Sequence, residues 1–129
     1  SPAAISIGNP HCVFFAENLN KITLEEIGPA IENHKLFPQR TNVGVAQIKD
    51  TDLIRLRVWE RGVGVTLACG TGACAAAVAA NRANFVGREV IVELDGGRLE
   101  INWRLDGHVI MTGPTATSFS GAVDLRLLA

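Results

Sequence analysis

The sequence holds no apolar run approaching the ~18 residues that cross a bilayer, and it opens without the basic, apolar, small-residue leader of an exported protein. That pattern fits a cytoplasmic protein with no membrane partner. Excess charge of one sign is missing too: twelve basic residues stand against thirteen acidic ones, a formal net charge of −1, so there is no broad electrostatic footprint for nucleic acid. Cysteine is scarce, and Cys12, Cys69 and Cys74 follow no zinc or thioredoxin-like spacing. Free thiols in a reducing compartment are expected, with no metal site. Internal repeats, low-complexity stretches and linkers are absent, as is an initiator methionine: the opening SPAAISIGNPHCVFF reads as though cut from a longer polypeptide. At 129 residues, positions 1–129 are expected to form one domain.

What is present is mostly strand-like. Ala3 to Ile7 and Cys12 to Phe15 are short apolar runs around the irregular turn Gly8-Asn9-Pro10-His11, whose polar side chains Asn9 and His11 are free to point into a cleft. Asn42 to Ile48 and Leu53 to Trp59 form a second pair, the latter alternating Ile54, Leu56 and Val58 against Arg55, Arg57 and Trp59, which predicts one buried and one wet face. Val90 to Leu94, Leu99 to Trp103, Val109 to Thr112 and Thr115 to Ser120 follow, with Asp95-Gly96-Gly97 and Asp106-Gly107 marking tight hairpins. Thr23-Leu-Glu-Glu26 has capping-box spacing and predicts a helix start. Gly28-Pro29 is expected to break that helix, with Pro29 opening a second short one to about Asn33.

The second helical stretch, about Gly72 to Ala83, is small and apolar on all sides: ACAAAVAA has no polar face. Such a helix is buried, and its alanine girth lets strands approach closely all round. The expected fold is therefore α+β, a strongly curved mixed or antiparallel sheet wrapped around one buried central helix.

Chemistry concentrates at the start of that helix. A thiol at Cys69 would feel the positive end of the helix dipole and the free amides of the first turn, both of which favour thiolate. The amides of Gly70, Thr71 and Gly72 make an anion site that glycines leave open to a carboxylate or phosphate. A base beside a bound carboxylate is placed to remove the proton alpha to it, provided water is excluded and dipoles are aligned. Ordinary roles compete with these. A lone cysteine near a helix start is more often a small buried hydrophobe, Glu60-Arg61 at a strand end is usually solvated, and Asn9, His11 and Asn42 have common turn functions. Cys12 and Cys74 are read as structural. Gly-Thr-Gly lacks the lysine and spacing of a Walker motif, which argues against nucleotide binding.

In order along nearly the whole chain, GNPHC at Gly8 to Cys12, RTNVGVAQ at Arg40 to Gln47 and WERGVGVTLACGTGACAAA at Trp59 to Ala77 resemble the C-terminal half of the diaminopimelate epimerase family. The resemblance implies one lobe of a two-lobed isomerase, independent of pyridoxal phosphate, metal or other cofactor, that interconverts L,L- and meso-diaminopimelate in lysine biosynthesis. Each lobe would contribute one cysteine, one acting as thiolate base and the other as thiol acid. It further implies that Cys69 is the second catalytic cysteine, Glu60 its hydrogen-bonding partner and His11 the partner of a first cysteine on an N-terminal lobe that this chain does not contain. Gly70 and Thr71 are then the amides holding the reacting carboxylate, while Asn9, Asn42, Glu60 and Arg61 bind substrate, Arg61 by a bidentate carboxylate pair. Val65 departs from the acidic residue common at its position. Diaminopimelate and the other lobe are the expected partners, a homodimer of the full-length enzyme is left open, and the 129-residue chain is expected to be inactive alone. Three rivals remain: another two-lobed racemase such as a proline racemase relative, a non-catalytic lobe that binds small carboxylates, and a cysteine hydrolase pairing Cys69 with His11.

Overall fold

The computed structural model describes residues 1–129. Eight strands form one mixed sheet: β1 (Ala3–Ser6), β2 (Pro10–Phe15), β3 (Asn42–Asp50), β4 (Leu53–Glu60), β5 (Gly64–Thr66), β6 (Glu89–Leu94), β7 (Gly97–Trp103) and β8 (Val109–Thr112). They run in the order β1-β2-β3-β4-β6-β7-β8, with β5 also paired to β4. The β2–β3 and β4–β6 pairs are parallel and the others antiparallel. Two helices complete the chain, α1 (Leu24–Glu32) and α2 (Gly70–Arg82). The architecture is α+β, as expected from the strand pattern and the single apolar helix.

The sheet curls around α2, which packs against β1 through β4 and β6 through β8. From Gly72 to Ala80 every residue of that helix is buried, because alanine brings no bulk that would hold the strands away. Ile54, Leu56 and Val58 of β4 join Val92, Ile101 and the helix alanines in the main core. α2 begins two residues ahead of the expected Gly72 because Cys69 itself is the N-cap.

The opposite face of the sheet is not wet throughout. α1 lies over β3 and β4, where Leu19, Leu24 and Val45 form a second cluster with Trp59 and Val65 packed against it. Trp59 thus shares a strand face with Arg55 and Arg57 yet is covered. The same helix corrects the reading of Gly28-Pro29, since α1 runs unbroken through Pro29. Gly28 is required by contact rather than by a bend: a Cβ there would stand 2.4 Å from Trp59 Cδ2. The Pro29 carbonyl is satisfied by the Asn33 amide at 3.2 Å and by Asn33 Nδ2 at 2.8 Å. Thr23 is the N-cap, but its side chain makes no capping bond.

The Asp95-Gly96 step forms a two-residue hairpin, with Leu94 paired to Gly97. Residues 115–120 are not a strand; they pair with nothing and are exposed, and the chain ends in a 3-10 turn at Leu125–Leu128. Apolar alternation alone does not make a strand without a neighbour to accept its amides. No helix is long and apolar enough to cross a membrane.

Candidate active site

Cys69 has extended backbone angles, φ −148° and ψ 106°, and its Sγ accepts from the Gly72 amide at 3.3 Å. A sulfur therefore occupies the place that a serine or aspartate oxygen usually takes at a helix start. Gly72 is needed for this, because a Cβ on it would lie 3.0 Å from that Sγ and 3.2 Å from Val58 Cγ2. The amides of Gly70 and Thr71, first and second in α2, have no acceptor within the helix. Met111 packs beside them, its Sδ 3.1 Å from where a Gly70 Cβ would be.

Around the sulfur the chain gathers polar groups from distant positions. The Thr71 hydroxyl is the hub: Asn9 Nδ2 donates to Thr71 Oγ1 at 3.1 Å, His11 Nε2 lies 3.0 Å from the same oxygen, and Cys69 Sγ lies 3.9 Å from it. His11 Nε2 is also 3.2 Å from Asn9 Oδ1. Because that carbonyl oxygen only accepts, a hydrogen bond to it requires the proton on Nε2. His11 is 2% exposed, and burial pulls its pKa down to about 4 against the opposing charge of Glu60, with Arg61 adding to the depression. The imidazole is neutral at pH 7.

Glu60 ends β4, where Thr66 of the short partner strand β5 donates its hydroxyl to Glu60 Oε1 at 2.7 Å. Its negative charge lies near enough to the Cys69 thiol to oppose ionisation of the sulfur. Burial pushes the Cys69 thiol above its ordinary value; the Gly72 amide and Thr71 hydroxyl pull the other way, and the charge and acceptor oxygen of Glu60 raise it again. The pull of the helix amides towards thiolate, expected from the sequence, is thus opposed by desolvation and a neighbouring carboxylate, and the balance lies towards the thiol.

Asn42 and Arg61 form an adjoining group. Asn42 is buried with both ends of its amide engaged, Nδ2 donating to Pro10 O at 3.0 Å and Oδ1 accepting from the Arg61 amide at 2.8 Å. The Arg61 guanidinium donates to Gln39 O at 3.0 Å and is otherwise open. Cys12 and Cys74 are free, buried and pushed up by that burial. Val65 faces the cluster under α1 rather than the polar site. No group of three or more His, Cys, Asp or Glu side chains is arranged to hold a metal ion.

The structure thus brings together Asn9, His11, Glu60, Cys69, Gly70 and Thr71, with Asn42 and Arg61 next to them. Sequence reasoning missed three contributors. Thr71 was credited with its amide but its hydroxyl joins three side chains; Thr66 lies on a strand too short to recognise; and Glu32, buried at the end of α1, accepts from the Gly62 amide at 2.8 Å and Trp59 Nε1 at 2.8 Å. The capping position of Cys69 was the signal for the first, since the hydroxyl two residues on must crowd the sulfur.

Fold and site define a class: a curled half-barrel that offers a thiol and two free helix amides at the open end of its central helix. The same curl recurs in a PhzF-family phenazine biosynthesis protein from Bacillus anthracis, at a TM-score of 0.57 and 19% identity over 85% of this chain and 37% of that one. Sequence is more specific. A profile of diaminopimelate epimerase matches residues 3–117, and the chain belongs to the diaminopimelate epimerase family. It is 54% identical to the diaminopimelate epimerase of Acidiphilium cryptum over 100% of this chain and 47% of the relative. Against that of Phenylobacterium zucineum it is 60% identical over 93% of this chain and 43% of the relative. The chain therefore spans less than half the length of these relatives, and aligns as their C-terminal part.

Proposed function

We propose that the chain supplies one wall of a cytoplasmic diaminopimelate epimerase active site and that Cys69 is its acid–base group. The observation that carries this reading is the placement of Cys69 at the N-cap of α2, its Sγ held by the Gly72 amide, beside two free amides and the Asn9, His11 and Thr71 side chains. The substrate carboxylate is held by the Gly70 and Thr71 amides, with its alpha carbon over the sulfur. A second cysteine on the preceding lobe, as thiolate, takes the alpha proton from one face. Cys69 gives its own proton to the other face and is left as thiolate, so one proton enters as one leaves and the two sulfurs exchange states.

Glu60, whose charge opposes ionisation of the sulfur, keeps the proton on Cys69 until it is delivered. In the reverse direction Cys69 is the thiolate that takes the alpha proton and the other cysteine is the thiol that replaces it. His11, neutral and fixed by Asn9 and Thr71, faces the same cleft as partner of the cysteine on the preceding lobe. Arg61 and the two asparagines hold the distal amino-acid end. Leu67 and Val63 at the mouth are 69% and 74% exposed, so water exclusion requires the other lobe, and this chain alone does not turn over. The hydrolase alternative is disfavoured because His11 Nε2 is engaged by Asn9 and Thr71. A non-catalytic lobe would gain nothing from a carboxylate that raises the thiol.

The test is proton NMR of L,L-diaminopimelate in deuterium oxide, with a full-length protein carrying this chain, its Cys69→Ala variant and the 129-residue chain. Loss of the alpha-proton signal is expected with the first only. A folded full-length protein that leaves the signal intact would overturn the substrate assignment. Undiminished exchange by Cys69→Ala would overturn the role of the sulfur.

A further inference from the structure

Glu32 is the only acidic residue buried in the lobe, 5% exposed at the end of α1. Three donors from two separate segments converge on it. Oε1 accepts from the Gly62 amide at 2.8 Å and from Arg40 Nη1 at 3.0 Å, and Oε2 accepts from Trp59 Nε1 at 2.8 Å. A carboxylate taken out of water is stable only when its oxygens are matched in this way.

Between Trp59 and Gly62 lie Glu60 and Arg61, and the bonding continues past them. The Arg61 amide is fixed by Asn42 Oδ1 at 2.8 Å, and Asn42 Nδ2 is fixed by Pro10 O at 3.0 Å, between Asn9 and His11. On the other side Arg40 holds a left-handed backbone, φ +62°, which a non-glycine residue keeps only when its surroundings enforce it. The Arg40–Glu32 pair supplies that enforcement and sets the preceding carbonyl, Gln39 O, against Arg61 Nη1 at 3.0 Å.

We propose that Glu32 is a positioning residue for substrate: from behind the sheet it locks the 59–62 turn to the Gln39–Arg40 bend, which fixes where the Arg61 guanidinium can meet the substrate's distal carboxylate. The inference rests on the reading of Arg61 given above. Glu32 touches no substrate and acts through the turn. Its signature follows from what else holds the neighbours. Glu60 is separately tied by Thr66 at 2.7 Å and by the β4–β5 ladder, so its placement survives loss of Glu32. Arg61 has no such second anchor for its side chain beyond Gln39. A contact to the distal end is equally strong in ground and transition states, so weakening it raises KM and spares kcat.

Two variants of the full-length protein test this, Glu32→Gln, which puts a donor among donors, and Arg40→Met, which removes one partner at a half-exposed position. KM for diaminopimelate should rise about tenfold in the first and about threefold in the second, with kcat within about threefold of wild type. Hydrogen exchange at the Arg61 and Gly62 amides should quicken by about tenfold or more in Glu32→Gln while α2 amides keep their protection. Unchanged KM with unchanged exchange at those amides overturns the proposal, and a uniform loss of protection with KM unaltered reduces Glu32 to a stability element. If the wild-type protein exchanges no alpha proton, the diaminopimelate reading falls first. Amide exchange then decides alone whether Glu32 locks the turn, and equal rates in the two proteins overturn it.

Discussion

A sulfur at a helix N-cap is subject to opposing influences, and at Cys69 their balance is set by residues far off in sequence. The Gly72 amide and the Thr71 hydroxyl favour thiolate; burial and Glu60 favour thiol and win. Alkylation of Cys69 by iodoacetamide, followed by peptide mass spectrometry, should therefore be slow at pH 7 and reach half its maximum only above the ordinary thiol value of about 8.5. Glu60→Gln removes the negative charge, so the profile should move to lower pH and alkylation at pH 7.5 should quicken by about threefold or more. Epimerisation by the full-length protein should instead fall by about a hundredfold, the usual scale for loss of an acid–base partner. Slower alkylation in Glu60→Gln would mean that the carboxylate draws the proton off the thiol at rest. The position of Cys69 was legible from CGTGACAAA, but its protonation state was not. That state depends on Thr66 crossing from β5 to Glu60 and on the depth of the pocket, which only the packed chain determines.

The central helix transmits its geometry to the site through one glycine. Alanine at position 72 would suit a helix better by about 1 kcal/mol on propensity alone, yet its Cβ would stand 3.0 Å from Cys69 Sγ and 3.3 Å from Cys69 Cβ. The sulfur must give by a few tenths of an ångström, less than the displacement of about 1 Å that costs a reacting group on the order of a hundredfold in rate. Gly72→Ala in the full-length protein is thus expected to keep its melting temperature within a few degrees and to lose about three- to tenfold in kcat. Wild-type kcat would show that the sulfur has room that the packing denies it. At this scale the sequence was most legible where one cause dominates. A helix apolar on every side had to be central, and Asp95-Gly96 had to turn. It was least legible where two elements meet. Gly28 and Pro29 look like breakers until Trp59 is seen filling the space above Gly28, and β5, only three residues long, exists because β4 offers it an edge. Residues 115–120 carry a strand-like pattern yet pair with neither terminal strand of the sheet, β1 or β8.

Across the whole molecule, the two buried titrating groups that tie the sheet to its loops, His11 and Glu32, act in the same direction. His11 has its folded pKa lowered to about 4 by burial, against about 6.5 in an unfolded chain. Between those values the unfolded state binds more protons, so the stability contributed by neutral His11 is complete above about pH 6.5 and drains away as pH falls towards 4. The full linkage over such a window is about 3 kcal/mol, which water at the open helix mouth reduces to about 1–2 kcal/mol. Glu32 is held below its usual range, first by the Trp59 hydrogen bond, then by the Gly62 amide and the Arg40 charge working against burial. Its share persists above the unfolded value of about 4.3 and is lost only on further acidification. The two losses follow one another, and a lobe stable by only about 5–15 kcal/mol gives up a sizeable fraction of that margin. Urea unfolding of the 129-residue chain should show the midpoint falling steadily from pH 7 to pH 4.5. His11→Asn should flatten that fall, whereas Glu32→Gln should leave it and flatten only the loss below pH 4.5. A wild-type midpoint constant down to pH 4.5 would mean that His11 reaches water in the folded lobe, and that the imidazole beside Thr71 is open to protonation when the active-site cleft is open.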